Sequence, residues 1–392
     1  METVIPRFFK CPAHSFFLFG PRGTGKSTWL REKIKNALWV DLLEPEQVRS
    51  FNARPERLRD LVLGNTEKNV VIIDEIQKVP SLLSVVHSLI EKERGRQFIL
   101  TGSSARKLKR TGVDLLAGRV LKLTLHPFMA AELKERFDLE KALQYGLVPL
   151  VVASKDPGKV LKSYAALYVR EEVQMEGLVR NIGGFSRFLE AVSFSHASVL
   201  NISNVARECE IERKVVEGYI HILEDLLLAF RLPVFTKRAK RAIVQHPKFY
   251  YFDTGVFRSL RPKGILDRPE EIEGGALEGL VAQHLLAWNA YRGESNNIYY
   301  WRTRSGTEVD FIVYGPEVFW AIEVKNTAHI RTEDLNPLRA FKEEYPESQT
   351  YFLYRGKDRI LRKDILCIPC TEFLQNLHPY RKNFSNGIFS AK

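Results

Sequence analysis

The sequence predicts an α/β protein of three parts, which span residues 1–130, 131–256 and 257–392. Two observations in the first part carry this prediction. A short apolar run leads into a glycine-rich loop that opens a helix, and a second apolar run ends in two acidic residues. In the last part, the periodicity predicts a helix, three strands, a helix and a strand. The chain has 392 residues, of which 45% are hydrophobic, so it can form more than one core.

The glycine-rich loop follows residues 15–19, an apolar run typical of a buried strand. It fits the pattern G-x-x-x-x-G-K-[ST] and precedes a helix-like stretch over residues 28–37. Glycines let backbone N–H groups turn toward phosphates, the lysine reaches the β- and γ-phosphates, and the serine hydroxyl holds Mg²⁺. We therefore predict that ATP binds at Gly20, Pro21, Arg22, Gly23, Thr24, Gly25, Lys26, Ser27 and Thr28.

The second apolar run, residues 70–73, is followed by Asp74 and Glu75. Acids at the C-terminal end of a strand lie where open α/β sheets bind ligands. We predict that Asp74 contacts Mg²⁺ and that Glu75 deprotonates the attacking water. An acid pair can also cap a helix, but the phosphate loop earlier in the chain makes that interpretation the weaker one.

Two further positions are candidates for the ATP site. A third apolar strand ends at Thr101, and Thr101 or Ser103 would bridge the γ-phosphate and the water; alternatively, Ser103 or Ser104 caps a helix. Arg119 lies between a helix and an apolar run, where it would stabilise transition-state charge on a neighbouring subunit's nucleotide. A surface or structural role is the alternative for Arg119.

These segments together resemble the AAA+ superfamily. More closely, they look like the prokaryotic AAA ATPases that carry a C-terminal domain of unknown function, DUF4143. The resemblance implies ATP hydrolysis, and it makes Arg119 a finger that acts in trans between the subunits of a homo-oligomer. Arg170 is the candidate for a sensor-2 arginine. The segments that carry the resemblance are Asp74-Glu75-Ile76-Gln77, Thr101-Gly102-Ser103-Ser104, Leu116-Ala117-Gly118-Arg119-Val120 and His126-Pro127-Phe128.

The middle part has helical periodicity, and residues 202–252 predict two helices followed by two strands. That order is a winged-helix layout, which the resembled group also carries. The loop over residues 237–241 is basic and contains no acid, so we predict that it runs along a nucleic-acid backbone. The alternative is a winged helix used for packing, with a solvated basic loop.

The last part places acidic residues on neighbouring strands. Glu323 and Lys325 are two apart in a strand and share a face, Asp310 lies in the strand before, and Glu278 comes from the helix. Such carboxylates can hold a divalent ion, and the lysine can steer a water. This part resembles the PD-(D/E)xK nuclease-like fold, which implies a metal-dependent nuclease. The alternative is a structural salt-bridge cluster that also includes Glu308.

Charge and composition bound the remaining choices. The net charge of +12 favours a polyanionic partner or general solubility equally. Four cysteines do not make a disulfide framework, and Cys367 and Cys370 are expected to line a core. No uncharged stretch is long and apolar enough to cross a bilayer, and the N-terminus lacks a signal-peptide pattern. We therefore expect a cytoplasmic protein with no membrane partner.

Two functional hypotheses remain open. The first is an ATP-hydrolysing protein that acts on nucleic acid and has a metal-dependent nuclease site. The second is an ATP-gated regulatory or scaffold protein whose C-terminal domain binds a partner without cleavage.

Overall fold

The computed structural model divides into two compact units. The first comprises Phe9–His126 with Leu223–Leu228, and the second contains the rest of the chain. The residues that the structure describes are 5–92, 95–102, 116, 118–165, 181–236, 246–265 and 267–381.

The first unit is built on a five-stranded, all-parallel sheet with the order β2-β3-β4-β1-β5. β1, β3 and β4 are buried along almost their whole length because their sequences are continuous apolar runs. In this order β4 lies between β1 and β3. Because the strands are parallel, the C-terminal ends of all three meet at one edge of the sheet. The strands are β1 (Phe16–Phe19), β2 (Ala37–Asp41), β3 (Val70–Asp74), β4 (Gln97–Gly102) and β5 (Leu121–Thr124).

Helices follow the strands of this sheet, and their apolar faces contribute to one core cluster with the strands. The first helix is shorter than predicted. It ends at Lys33, and Ala37 begins β2, a strand that the sequence analysis did not anticipate. The helices are α1 (Lys26–Lys33), α2 (Pro45–Ala53), α3 (Arg57–Gly64) and α4 (Leu82–Lys92).

The second unit begins with helices and a three-stranded antiparallel sheet of order β6-β8-β7. Around this sheet, a helix is followed by a short strand, then by two helices, and then by two antiparallel strands. The strands are β6 (Ser198–Val199), β7 (Ala229–Leu232) and β8 (Lys248–Tyr251). The helices are α5 (Ala130–Leu133), α6 (Leu139–Tyr145), α7 (Pro149–Val152), α8 (Pro157–Ser163), α9 (Ile182–Ser193), α10 (Ile202–Cys209) and α11 (Arg213–Asp225).

A six-stranded mixed sheet forms the C-terminal part of the second unit, with the order β13-β14-β12-β11-β10-β9. The helix, three strands, helix and strand of the prediction are α13 to β12; β13, β14 and α15 follow them and were not predicted. The strands are β9 (Asn297–Arg302), β10 (Glu308–Tyr314), β11 (Phe319–Val324), β12 (Gln349–Tyr354), β13 (Ile360–Arg362) and β14 (Ile365–Pro369). The helices are α12 (Thr254–Leu260), α13 (Pro269–Tyr291), α14 (Asn336–Glu344) and α15 (Cys370–Asn376).

The middle and C-terminal parts share backbone hydrogen bonds. Phe235 N–H donates to Tyr300 O at 2.7 Å, and Tyr300 N–H donates to Pro233 O at 3.0 Å. The segment after β7 thereby extends the edge of the six-stranded sheet at β9. The predicted boundary between residues 256 and 257 consequently falls inside one compact unit.

Candidate nucleotide site and carboxylate cluster

The predicted phosphate loop lies between β1 and α1, and its backbone needs glycine. Gly23 and Gly25 have φ values of 78° and 86°, in the left-handed region, and Gly25 is the N-cap of α1. A Cβ added to Gly20 would lie 2.5 Å from the carbonyl oxygen of Leu125, so the loop passes too close to the residue after β5 for any side chain. Its glycines are thus required by shape as well as by the motif.

Lys26 points into this loop. Its side chain is buried, and Nζ donates to the carbonyl oxygens of Gly20 at 2.6 Å and Pro21 at 3.3 Å. Thr24 Oγ1 donates to the same Pro21 oxygen at 2.8 Å. These contacts hold the ammonium at the concave side of the loop, at the N-terminus of α1, where helix dipole and N–H groups favour an anion.

The remaining residues of the motif differ in exposure. Ser27 is half-buried in the first turn of α1, whereas Arg22 and Thr28 are exposed. Ser27 is therefore placed beside Lys26 on the helix that opens from the loop.

Asp74 and Thr101 meet at the ends of adjacent strands. Asp74 is the last residue of β3 and is 1% exposed; Oδ1 accepts a short hydrogen bond from Thr101 Oγ1. Asp74 Oδ2 is buried and has no hydrogen-bond partner among the described residues. An unpaired, buried carboxylate oxygen is costly unless a ligand satisfies it. The residues present therefore fit Mg²⁺, with Asp74 and Ser27 as the oxygen donors.

Glu75 follows in a constrained backbone. Its φ of 60° lies in the left-handed region, which is unfavourable for a residue with a Cβ. Its N–H donates to Thr101 Oγ1 at 3.0 Å, and Gln77 Nε2 donates to its Oε2. The side chain of Gln77 thus orients the predicted base. The sequence analysis quoted Gln77 only as part of a resemblance and gave it no role.

Thr101 lies between the two acids, and its predicted role at the γ-phosphate stays a prediction. Its described hydrogen bonds go to Asp74 and Glu75, so it links the two acids across β3 and β4. The other candidates for this position, Ser103 and Ser104, lie outside the described residues, as do Arg170 and the basic loop 237–241.

Arg119 lies two residues before β5, as predicted from the apolar run. Its Nε contacts the carboxylate of Glu91 on α4, and its side chain is 42% exposed. The arginine has this partner within its own unit.

The C-terminal acids converge on a residue that the sequence analysis missed. Lys248, the first residue of β8, is 2% exposed, and its Nζ lies 2.9 Å from Glu278 Oε1, 2.6 Å from Glu308 Oε1 and 3.0 Å from Asp310 Oδ1. Tyr250, two residues on and on the same strand face, donates its hydroxyl to Glu278 Oε1 at 2.6 Å. The sequence feature that could have pointed to Lys248 is its position at the start of an aromatic strand.

Glu323 and Lys325 form a neighbouring pair. Lys325 Nζ lies 2.7 Å from Glu323 Oε1, and Glu323 is 2% exposed. The Asp310 backbone N–H lies 3.4 Å from Glu323 Oε2, so the pair adjoins the Lys248 contacts. The structure therefore brings together all four residues that were predicted here, Glu278, Asp310, Glu323 and Lys325.

Burial governs the electrostatics of these groups. Burial, and then the charge of Asp310, raises the pKa of Glu278 to about 7 and that of Glu323 to about 8. Burial alone would lower the pKa of Lys248, but the surrounding charges, that of Glu278 foremost, raise it well above its ordinary value. Lys248 is thus a permanent cation inside a set of carboxyl groups.

The predicted metal site at Glu278, Asp310 and Glu323 stays a prediction, and the structure places a cation, the ammonium of Lys248, among these carboxylates. Within the described ranges, no group of three or more His, Cys, Asp or Glu side chains is arranged to hold a metal ion. The physical reason is that the ammonium of Lys248 lies where the carboxylates converge. The contacts instead match the alternative of a salt-bridge cluster, with Lys248 added.

The predicted core position of two cysteines fits the structure. Cys367 and Cys370 are buried free thiols, and burial raises the pKa of Cys367 to about 11 and that of Cys370 to about 12. In the part of the chain that the structure describes, no helix has both the length and the apolar character to cross a membrane.

Three segments of the chain match known protein families. Residues 13–134 match a family described as an AAA domain, and residues 273–373 match a domain of unknown function, DUF4143. The chain contains an AAA domain and a DUF4143 domain. Residues 136–266 between them match a second domain of unknown function, DUF8612. The AAA domain, with the phosphate loop inside it, makes this an ATP-binding protein.

Two proteins with similar sequences align with most of this chain. Uncharacterized proteins of Mycobacterium bovis and Mycobacterium tuberculosis are each 25% identical to it over 371 residues, which cover 91% of this chain and 80% of theirs.

Solved structures with a partial likeness include two proteins. Domain III of the Thermotoga maritima replication initiation protein DnaA is 15% identical, covers 43% of this chain and 80% of its own, and has a TM-score of 0.23. The Aeropyrum pernix ORC2 protein in its ADP form is 13% identical, covers 69% and 88%, and has a TM-score of 0.29.

Proposed function

We propose that the AAA domain hydrolyses ATP, with Glu75 as the general base. The observation that carries this proposal is the arrangement at the ends of β3 and β4, where Thr101 links Asp74 and Glu75 beside the strand that leads into the phosphate loop. The left-handed backbone of Glu75 supports a functional role, since such strain persists where a site requires it.

Each residue has a chemical role in this proposal. Lys26 binds the β- and γ-phosphates, and Ser27 and Asp74 would hold Mg²⁺, which neutralises charge on the phosphate oxygens. Glu75 accepts a proton from the attacking water while the water oxygen bonds to the γ-phosphorus. The bond between the γ-phosphorus and the β–γ bridging oxygen breaks. Arg119, which is partly exposed, would act on a neighbouring subunit's nucleotide in a homo-oligomer after leaving Glu91.

Replacing Lys26 with Ala tests the phosphate loop. We expect ATP hydrolysis to fall by about 100-fold or more, because the variant lacks a preorganised cation that binds the transferring group, and ATP affinity to fall with it. Lys33→Ala is the matched control, since Lys33 lies on the same helix and is exposed. Steady-state phosphate release and binding of a fluorescent ATP analogue measure both effects. Equal activity of the Lys26 variant and the control would refute the assignment.

A nucleic-acid partner is the second element of the proposal. The net charge of +12 supports it. The α10, α11, β7 and β8 succession also supports a winged helix, with residues 237–241 in the connection between its two strands.

For the C-terminal domain, the observed contacts favour the non-cleaving alternative, a regulatory or partner-binding role. Lys248 takes up the carboxylates that a metal-dependent nuclease would need. Titration of the protein with Mn²⁺ tests this role, because a cleaving site would bind the metal through Asp310.

A further inference from the structure

The acids of the C-terminal domain surround a cation that belongs to the chain itself. Lys248 comes from β8, whereas the carboxylates come from α13 and β10, so three elements contribute to one cluster. Its Nζ makes three contacts of 3.0 Å or less to Glu278, Glu308 and Asp310. An ammonium has three donors, and here each has a carboxylate oxygen to receive it.

The carboxylate oxygens are also engaged by other protein donors. Asp310 Oδ2 accepts the Val324 backbone N–H at 2.9 Å, while Oδ1 contacts Lys248. Glu278 Oε1 receives both Lys248 and the Tyr250 hydroxyl. Lone pairs that would bind a divalent ion are thus directed at hydrogen-bond donors of the chain.

Charge within the cluster is close to balance without a divalent ion. Four carboxyl groups face three cations, which leaves one negative charge if all ionise. The groups counted are Glu278, Glu308, Asp310 and Glu323 against Lys248, Lys325 and Arg302.

We propose that Lys248 takes the place of a divalent metal in this cluster, so that the native cluster excludes Mg²⁺ and Mn²⁺ and removal of the ammonium opens a divalent-cation site. A metal ion that entered would meet a buried, fixed positive charge at contact distance, and the repulsion is strong where water is excluded. The carboxylates are already positioned, so removal of Lys248 leaves two to three oxygen ligands in place.

The experiment is calorimetric titration of the nucleotide-free full chain with Mn²⁺. Asp74→Asn is present throughout, which removes the carboxylate that is proposed to hold the metal at the ATP site. The parent protein should bind no Mn²⁺ that depends on Asp310. Lys248→Met should gain a Mn²⁺ site, with affinity at least about tenfold above the parent, the scale on which groups around a metal alter its binding. Adding Asp310→Asn to Lys248→Met should remove that site.

Control variants keep the test decisive. Lys214→Met removes an exposed lysine from α11 and should gain no Mn²⁺ site. Mn²⁺ binding by the parent protein that Asp310→Asn abolishes would overturn the proposal, and this comparison needs no Lys248 variant. A Lys248→Met protein with native circular dichroism and no gained site would also overturn it. If Lys248→Met does not fold, Lys248→Gln, which keeps a donor amide, replaces it with the same two outcomes.

Discussion

Glu75 is held at three points: its backbone is in the left-handed region, its N–H donates to Thr101, and its carboxylate accepts from Gln77. A general base must be placed within hydrogen-bond reach of the water that it deprotonates. The amide of Gln77 neither gains nor loses a proton in that step. Gln77 is therefore a positioning residue, which acts on hydrolysis only through the orientation of Glu75.

Replacing Gln77 with Ala should lower kcat for ATP hydrolysis by about 10- to 100-fold, because small misplacements of a reacting group have effects of that size. KM for ATP should change little, since in the proposed role Gln77 acts on the carboxylate of Glu75 and not on the phosphates. Gln47→Ala on α2 is the control. A rise in KM at constant kcat would mean that Gln77 supports nucleotide binding and not the base.

Lys248 shows what residue-level sequence reasoning could not supply. The acids around it were named from strand alternation and helix position, which are local patterns. The lysine belongs to β8, separated from Asp310 by 62 positions, and only the packing of α13 and β10 brings it to them. A contact of this kind depends on tertiary structure, so no local period reveals it.

At the scale of elements, the strands of the AAA domain were the most predictable feature. β3 was predicted as an apolar strand that begins at Val70 and ends in Asp74 and Glu75, and it spans Val70–Asp74. A strand buried on both faces of a parallel sheet needs such an unbroken apolar run. The predicted helix over 28–37 was wrong at its end. It stops at Lys33, and Ala37, the last residue of the predicted helix, begins β2. Helical and strand patterns are ambiguous over such short stretches.

The order of strands could not be derived from the apolar runs. The position of β4 between β1 and β3 puts Thr101 against both acids, and that position depends on pairing between strands that are distant in sequence. The segment 233–235, which extends the sheet at β9, also depends on long-range packing and has no sequence signal of its own.

For the whole molecule, the excess of positive charge yields a prediction about nucleic acid. Changing Lys237, Arg238 and Lys240 to Ala should weaken binding of duplex DNA and flatten its dependence on salt. The slope of log K against log salt concentration should fall by about 0.9 for each phosphate that the variant no longer neutralises. Fluorescence anisotropy across a salt series measures this slope.

The matched control removes three exposed lysines elsewhere, Lys155, Lys159 and Lys162, each changed to Ala. Equal slopes for the two triple variants would mean that DNA binding depends on net charge alone. The loop over residues 237–241 would then make no specific contact with DNA.

Hydrolysis of ATP at Glu75 is the central claim, and a single-turnover measurement on Glu75→Gln tests it most directly. The variant should bind ATP as tightly as the parent protein, because Lys26 and the phosphate loop are intact, while the rate of the chemical step falls by about 100-fold or more because the base is absent. Glu46→Gln, an exposed acid on α2, should leave the rate unchanged. Hydrolysis by Glu75→Gln at the parent rate would contradict the account.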